Sequence, residues 1–391
     1  RSLPNLSLEQ IAAHVLWPYV KDELGEREFQ QIIRETFSFP IPLVNLHENI
    51  NVLELFHGPT QAFKDVGARF LSRLMSHLHP VGEDKMVVLT ATSGDTGGAV
   101  AHGFHQVPGI EVVVLYPDGK ISPYQEQQMT GLGHNIHAIA VEGAFDDCQR
   151  LVKQAFNDQD LRRKIAVTSA NSINLGRLLP QMVYYFEGTA RMMEEDSGIQ
   201  PVICVPSGNF GNLTAAVMAG KMGLPVSRFI AATNVNDVVP RFLETGNYDP
   251  GQTIVTLANA MDVGDPSNFP RLYDLFDNQL ESLRYFLTAN SVTDAEIKET
   301  IQNVYDQYGY VLDPHSAAGY LGLKRDLHHD EKGFFVSTAH PRKFVEIIDD
   351  VLPAVANQLR KDYGPEFVSE QNRETMPNSY EALRKYLEDI G

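Results

Sequence analysis

Short runs of apolar, β-branched residues alternate along the chain with spacers long enough for a helix. The runs occupy residues 86–91, 111–116, 136–141, 165–169, 201–206, 228–233 and 333–338. Helical patterns lie at 66–77, 96–106, 122–132, 147–156, 174–195, 212–222, 294–308, 343–362 and 379–389. This alternation predicts mostly parallel sheets with helices on both faces. The predicted fold class is therefore α/β.

The chain is long enough for two α/β lobes with a cleft between them. The helical patterns within residues 1–50 predict an N-terminal helical cap or arm, followed by the Pro-rich linker FSFPIPLVNL (37–46). We expect residues 86–160 to form a small α/β domain, and residues 51–85 together with 161–391 to form a large one. Ligands of such folds bind beyond the carboxyl ends of the strands, so we expect the active site there.

The composition limits the partners. With 43% hydrophobic and 21% charged residues and no window of 18 apolar residues, the sequence is typical of a soluble, cytoplasmic protein. The net charge of −18 argues against nucleic acid and anionic membranes, but an anionic small molecule remains compatible because charge is screened over about 8 Å. Cys148 and Cys204 show no C-x-x-C spacing, so we expect neither a disulfide nor a metal site.

Lys64 stands at a turn-to-helix junction in the run LFHGPTQAFKD (55–65). An ammonium group that is partly withdrawn from water has a lowered pKa, which suits Schiff-base formation. On its own, such a run more often marks an ordinary lysine at a helix start. Its significance therefore depends on the motifs downstream.

The run PVICVPSGNFGNLTAAV (201–217) passes from a strand directly into a helix and predicts a phosphate cradle. Gly208 and Gly211 allow a close approach to the backbone, and the helix start offers N–H groups to an anion. Ser207 and Asn209 add side-chain donors. The run lacks the Lys-Ser/Thr of a nucleotide P-loop, which argues against a nucleoside triphosphate. A Gly-rich turn without a ligand is the alternative.

A second strand-to-helix loop has the same geometry and comprises Thr92, Ser93, Gly94, Asp95 and Thr96. Its hydroxyl and N–H groups suit a carboxylate. Asp95 disfavours an anion unless it meets a donor, and a purely capping aspartate is the alternative.

Two further strand ends are polar. One carries Thr338, whose hydroxyl suits a heteroatom of a ligand or, alternatively, caps a helix, and His340 beyond it is expected to be structural. The other carries Asn171, Ser172 and Arg177, which suit a second phosphate or, alternatively, lie on a helix surface. A lysine, a phosphate cradle and a strand-end hydroxyl together favour pyridoxal 5′-phosphate (PLP) over other cofactors.

The motifs HGPTQAFKD, TATSGDTGGAVAH, DGKISPYQ, SANSIN, VPSGNFGNLTA, FIAATNVNDVVPRF and STAHPRKF follow one another in this order. Together they closely resemble the threonine synthase family of bacteria and fungi, over about residues 40–345. The resemblance implies the tryptophan-synthase-β-like fold (fold type II), with PLP as cofactor. It also implies a lyase of threonine biosynthesis that converts O-phospho-L-homoserine and water to L-threonine and phosphate. Because the family usually begins with a Gly-rich segment and this chain begins at Arg1, we expect part of the native start to be missing.

The resemblance also implies a role for each candidate residue. Lys64 holds PLP as a Schiff base and acts as the general base, Thr338 faces the pyridine nitrogen, and Asp95 lies near the ring hydroxyl. The cofactor phosphate is bound by Ser207, Gly208, Asn209, Phe210, Gly211 and Asn212. The substrate carboxylate is received by Thr92, Ser93, Gly94 and Thr96, and the substrate phosphate by Asn171, Ser172 and Arg177.

Two alternatives to threonine synthesis stay open. A phospho-lyase of the same type releases 2-oxobutyrate, because the imine hydrolyses before water reaches Cβ. A catalytically silent protein that binds PLP or phosphate belongs to another class, and the presence of Lys64, Asn209 and Thr338 argues against it. Serine or threonine dehydratase and cysteine synthase are disfavoured because neither needs a second phosphate site.

Overall fold

A computed structural model describes residues 2–78, 85–361 and 373–391 of the chain. The strands are β1 (Leu43–His47), β2 (Ile50–Glu54), β3 (Met86–Ala91), β4 (Ile110–Pro117), β5 (Ile136–Val141), β6 (Ala166–Ser169), β7 (Val202–Pro206), β8 (Arg228–Thr233), β9 (Leu287–Ser291), β10 (Gly333–Ser337) and β11 (Arg373–Met376). The helices are α1 (Leu8–Val20), α2 (Glu26–Thr36), α3 (Lys64–Leu78), α4 (Asp95–Phe104), α5 (Pro123–Thr130), α6 (Phe145–Asn157), α7 (Gln159–Lys164), α8 (Leu175–Leu178), α9 (Met182–Glu195), α10 (Gly211–Lys221), α11 (Val238–Thr245), α12 (Phe269–Asp274), α13 (Leu280–Phe286), α14 (Asp294–Tyr308), α15 (Pro314–Asp326), α16 (Val345–Val351), α17 (Pro353–Lys361) and α18 (Tyr380–Ile390). Short 3₁₀ turns lie at Leu3–Asn5, Leu179–Gln181, Asn259–Met261 and Pro341–Phe344.

The chain forms two compact units. The first comprises the described residues of Arg1–Phe63 and Leu178–Asp362, and the second comprises those of Lys64–Arg177 and Tyr363–Gly391. Among the described residues, no helix is both long enough and apolar enough to cross a membrane.

The first unit is built on a six-stranded sheet in the order β1-β2-β10-β7-β8-β9. All neighbouring strands are parallel except β1, which pairs antiparallel with β2. The carboxyl ends of the parallel strands therefore lie along one edge of the sheet, where the loops after β2, β7 and β10 begin. Helix α1 packs against α9 and buries Ile11 and Leu16. The N-terminal helices thus belong to this unit, and the predicted linker contains the start of β1.

The second unit contains a parallel five-stranded sheet in the order β11-β5-β4-β3-β6. Because successive side chains of a strand point to opposite faces, β3 supplies both sides of the sheet. Val87 and Leu89 pack in one cluster with residues of α6 and α18, whereas Val88 joins a cluster with residues of α4. Helices cover both faces, as the sequence predicts.

The bounds of the units differ from those of the predicted domains. Strand β6 pairs with β3, and β11 pairs with β5, so residues assigned by sequence to the large domain complete the sheet of the second unit. Helix α3 packs against α4 in the same unit. Backbone pairing therefore decides membership, and the second unit reaches beyond the predicted range of 86–160 at both ends.

Candidate active site

In the first unit, the loop between β7 and α10 has the backbone of an anion cradle. Phe210 precedes the helix in the left-handed region, at φ 60°, and turns the chain abruptly into α10. The first N–H groups of an α-helix have no acceptor within the helix, and they point toward an anion placed before it. Gly208 lies so close to the neighbouring backbone that a Cβ there would be 2.6 Å from Met261 Cα and 2.7 Å from the Ala260 oxygen. Only glycine fits this position.

The polar side chains of this cradle have different partners. Ser207 Oγ donates to the Val205 oxygen at 3.0 Å, and Asn212 Nδ2 donates to the Pro206 oxygen at 2.8 Å. Both side chains are buried and shape the loop. Asn209 instead accepts, at Oδ1, from the backbone N–H and the hydroxyl of Ser267, at 2.6 and 2.8 Å. Any phosphate contact in this loop therefore depends mainly on backbone N–H groups and on Asn209.

Two consecutive residues with hydroxyl groups, Ser337 and Thr338, lie at the end of β10. Ser337 Oγ lies 2.7 Å from Ser316 Oγ, and Ser316 donates to the Asp313 carboxylate. These buried hydrogen bonds were not predicted, because Asp313 and Ser316 belong to no motif recognised in the sequence. Thr338 follows Ser337 and lies directly after the end of β10. The placement is compatible with the role predicted for Thr338.

The segment after β10 holds the loop that leads to Lys64. The Phe63 N–H donates to the Thr338 oxygen at 2.8 Å, and the His340 N–H donates to the Gln61 oxygen at 3.0 Å. The Nζ atom of Lys343, whose side chain is fully buried, donates to the Thr60 oxygen at 2.9 Å. Three hydrogen bonds thus hold the stretch 60–63 that directly precedes Lys64.

His340 has a structural role in this segment. Burial, with some repulsion from Arg342, lowers the pKa of His340 to about 4, so its ring is neutral near pH 7. Its Nδ1 accepts from the Arg342 N–H at 3.1 Å. Both observations fit the predicted structural histidine.

In the second unit, the loop after β3 is organised by Thr92. Its Oγ1 accepts from the N–H groups of Gly94 and Gly97 at 2.9 and 2.8 Å. Asp95, at the start of α4, is buried, and its Oδ1 accepts from Gln125 Nε2 at 3.0 Å. Gln125 is the donor that the sequence requires for Asp95. Its position in a Ser-x-x-Gln capping box at the start of α5 was the available signal.

The loop after β6 lies beside this one, because β6 is the neighbour of β3 in the sheet. Asn171 Nδ2 donates to the Ala91 oxygen at 3.0 Å and ties the two strand ends together. Arg177 is only 2% exposed, and its Nη1 donates to the Ala170 oxygen at 2.6 Å. The alternative of a surface arginine is therefore wrong. A Cβ at Gly67 would lie 2.6 Å from the Arg177 oxygen, so the first turn of α3 also reaches this loop.

Each unit thus brings together a subset of the predicted residues. The first unit gathers Ser207, Gly208, Asn209, Phe210, Gly211, Asn212 and Thr338 along the carboxyl edge of its sheet. The second gathers Thr92, Ser93, Gly94, Asp95, Thr96, Asn171, Ser172 and Arg177 along its own carboxyl edge, together with the helix that Lys64 begins. Lys64 is half-buried.

Proteins of known function resemble this chain in sequence and in fold. The pyridoxal-phosphate dependent enzyme family matches residues 37–338. The threonine synthase of Escherichia coli strain K12 is 43% identical over 98% of this chain and 91% of its own length. The chain belongs to the threonine synthase family. The crystal structure of the Escherichia coli threonine synthase superposes with a TM-score of 0.89 at 42% identity, covering 100% of this chain and 90% of that one. A PLP-bound threonine synthase from Brucella melitensis gives 0.88 at 33% identity, covering 99% and 89%.

Membership of the threonine synthase family confirms the predicted resemblance, the fold type and PLP as the cofactor. The residues present fit this cofactor. Gly208 and Phe210 give the tight strand-to-helix turn that a phosphate needs, and α10 supplies the N–H groups. Lys64 begins α3 and Thr338 directly follows β10, and a lysine amine and a hydroxyl are the further group types that suit PLP.

Proposed function

We propose that this protein is a threonine synthase, which converts O-phospho-L-homoserine and water to L-threonine and phosphate in the cytoplasm. One observation supports the choice of substrate: the two loops of the second unit that we infer to bind anions are adjacent, linked by the Asn171–Ala91 hydrogen bond. O-Phospho-L-homoserine bears a carboxylate at one end and a phosphate at the other. Substrates of dehydratases and cysteine synthases have no need of a second phosphate site.

We infer that Lys64 binds PLP covalently and that the loop from Ser207 to Asn212 binds its phosphate. Thr338 donates or accepts at the pyridine nitrogen. A neutral hydroxyl there leaves the ring less electron-withdrawing than a carboxylate partner does, which restrains transamination. When bound, PLP withdraws electrons from the substrate Cα and so acidifies the protons that the protein removes.

The protein groups then move protons and stabilise charge. Lys64 accepts the Cα proton, a second proton leaves Cβ, and the Cγ–O bond breaks with its electron pair going to phosphate. Arg177, with Asn171 and Ser172, neutralises the charge that develops on the leaving phosphate. A proton is then delivered to Cγ, water adds its oxygen to Cβ, and Lys64 returns a proton to Cα. The balance is one water consumed and one phosphate released per threonine.

A product assay on O-phospho-L-homoserine tests the proposal. We expect threonine and phosphate in equal amounts. The appearance of 2-oxobutyrate in place of threonine identifies the protein as a phospho-lyase, and PLP binding without turnover identifies it as a silent binding protein. Lys64→Ala is expected to lose the visible absorption of the bound cofactor and all threonine formation, whereas Lys120→Ala, at an exposed lysine in the second unit, keeps both.

A further inference from the structure

The side chain of Asn209 has one orientation that its neighbours allow. Its Oδ1 accepts two hydrogen bonds from Ser267, one from the backbone N–H at 2.6 Å and one from the hydroxyl at 2.8 Å. A backbone N–H can only donate, so the atom of the carboxamide that faces Ser267 must be the oxygen. The amide nitrogen, with its two N–H donors, is consequently at the other end of the planar carboxamide group.

Ser267 is itself held in place by the residues that follow it. Asn268 is fully buried, and its Oδ1 accepts from Arg271 Nη1 at 2.9 Å. The ring of Phe269 packs edge-on against the ring of Phe210, with centroids 6.1 Å apart. Ser267 is exposed but lies directly before these buried residues, and both its N–H and its hydroxyl donate to Asn209.

We propose that Ser267 is a positioning residue, which orients Asn209 so that only N–H donors face the phosphate of the cofactor. The inference rests on the proposed function, since it takes the loop from Ser207 to Asn212 as the site of the PLP phosphate. The two ends of a carboxamide have nearly the same shape, so an unsupported asparagine can turn its oxygen toward the anion. An oxygen in that place repels phosphate, whereas an N–H donates a charge-assisted hydrogen bond.

The test compares PLP with pyridoxal, which lacks the phosphate, by titrating each into the apoprotein. Ser267→Ala keeps the backbone N–H and removes the hydroxyl, so we expect its Kd for PLP to rise about 3- to 10-fold and its Kd for pyridoxal to stay within about two-fold. Asn209→Ala is expected to raise the Kd for PLP about 10- to 100-fold. Adding Ser267→Ala to Asn209→Ala is expected to cause no further loss, because Ser267 acts through Asn209.

Two further measurements separate positioning from general damage. Ser267→Thr keeps both donors and is expected to restore PLP affinity, and Ser282→Ala, at an exposed serine of the same unit, serves as the neutral control. The ³¹P resonance of bound PLP is expected to shift in Ser267→Ala and not in Ser282→Ala.

The outcomes distinguish the two proposals. Equal losses for PLP and pyridoxal, unchanged PLP affinity, or a further loss in the double variant each overturn the role of Ser267. Wild-type protein that binds PLP but forms no threonine contradicts the proposed function alone. Wild-type protein that binds no PLP overturns both.

Discussion

A methyl group at position 208 tests whether the loop after β7 binds the cofactor phosphate. In Gly208→Ala the added Cβ would lie 2.6 Å from Met261 Cα and 2.7 Å from the Ala260 oxygen. Carbon atoms in contact are normally about 3.5–4.0 Å apart, so the loop and the 260–261 backbone must separate by about 1 Å. Both obstructing atoms belong to the backbone and cannot rotate away. We expect this overpacking to lower the free energy of unfolding by about 1–3 kcal/mol.

The same displacement affects binding. A shift of about 1 Å carries an N–H donor out of the 2.7–3.2 Å range of a good hydrogen bond. Losing one charge-assisted bond to the phosphate costs about 1.5–3 kcal/mol, which raises the Kd for PLP roughly 10- to 150-fold. The Kd is measured by titrating apoprotein with PLP and following the visible absorption, and the stability by urea unfolding.

Gly251→Ala is the matched control for this variant. It lies in the same unit, and a Cβ there meets no atom within 4 Å. We expect wild-type PLP affinity in Gly251→Ala and unchanged or slightly increased stability. If Gly208→Ala binds PLP within two-fold of the wild type, the loop after β7 is not the phosphate site.

Three further variants probe other parts of the site. In Gly94→Ala the added Cβ would lie 2.4 Å from the Gln125 side chain, so the KM for O-phospho-L-homoserine should rise about ten-fold or more. Gly119→Ala is the control, because Gly119 also has a positive φ but its Cβ would meet no atom within 4 Å, and equal KM values for the two variants would contradict the role of the 92–97 loop. Lys343→Met removes a buried hydrogen-bond donor and should lower the free energy of unfolding by about 1–3 kcal/mol in urea titrations. Lys298→Met loses only a surface ion pair and should lower it by less than about 1 kcal/mol, so similar losses in the two variants would refute the anchoring role of Lys343. Because the pKa of His340 is about 4 in the fold and near 6.5 when unfolded, its neutral form adds stability above pH 6.5 that is lost as the pH falls toward 4. His340→Asn should therefore flatten the rise in stability between pH 4 and 6.5, by at most about 1.4 kcal/mol per pH unit, and an unchanged slope would contradict the buried neutral ring.

Elements with strong local signals were predicted to within a residue or two. The runs at 86–91, 136–141 and 228–233 match β3, β5 and β8. These are interior strands of their sheets and are largely buried, so continuous apolar, β-branched residues are required there. The predicted helix 294–308 matches α14, because Thr293 and Glu296 form a capping box at its start and Gly309 ends it in the left-handed region.

Two edge strands, β9 and β11, were missed, whereas the edge strand β6 matches the predicted run at 165–169. Strand β9 (LTANS) is half-buried along most of its length, and β11 (RETM) is mostly exposed. Neither contains an apolar run, since each has only one neighbour, β8 or β5. Their pairing depends on backbone hydrogen bonds that composition does not encode. The predicted domain bounds also differ from the units, because β6 and β11 join a sheet whose other strands, β3 to β5, all precede them in sequence.

In the candidate site too, residues within a local motif were singled out from the sequence, and partners from distant segments were missed. Gly208 was singled out because a tight strand-to-helix loop favours glycine, and Lys64 because the motifs downstream gave significance to a lysine at a turn-to-helix junction. Gln125, Ser267 and Lys343 were missed as partners because each serves a group that is distant in sequence, respectively Asp95, Asn209 and Thr60. A hydrogen bond between distant segments leaves no periodic pattern in a single sequence. The residues proposed to do chemistry therefore lie in local motifs, whereas the residues that orient their neighbours lie in none.

The large negative charge of the chain is compatible with binding two anionic groups. Beyond about 8 Å, surface charge is screened by salt, so a net charge of −18 acts weakly on a ligand in a pocket. The groups proposed to face the anions are local: the N terminus of α10 and the buried guanidinium of Arg177. Asp95, the one acid within the carboxylate loop, is engaged by Gln125. Substrate affinity should then depend on these few donors, and neutralising exposed acids elsewhere should leave the KM nearly unchanged.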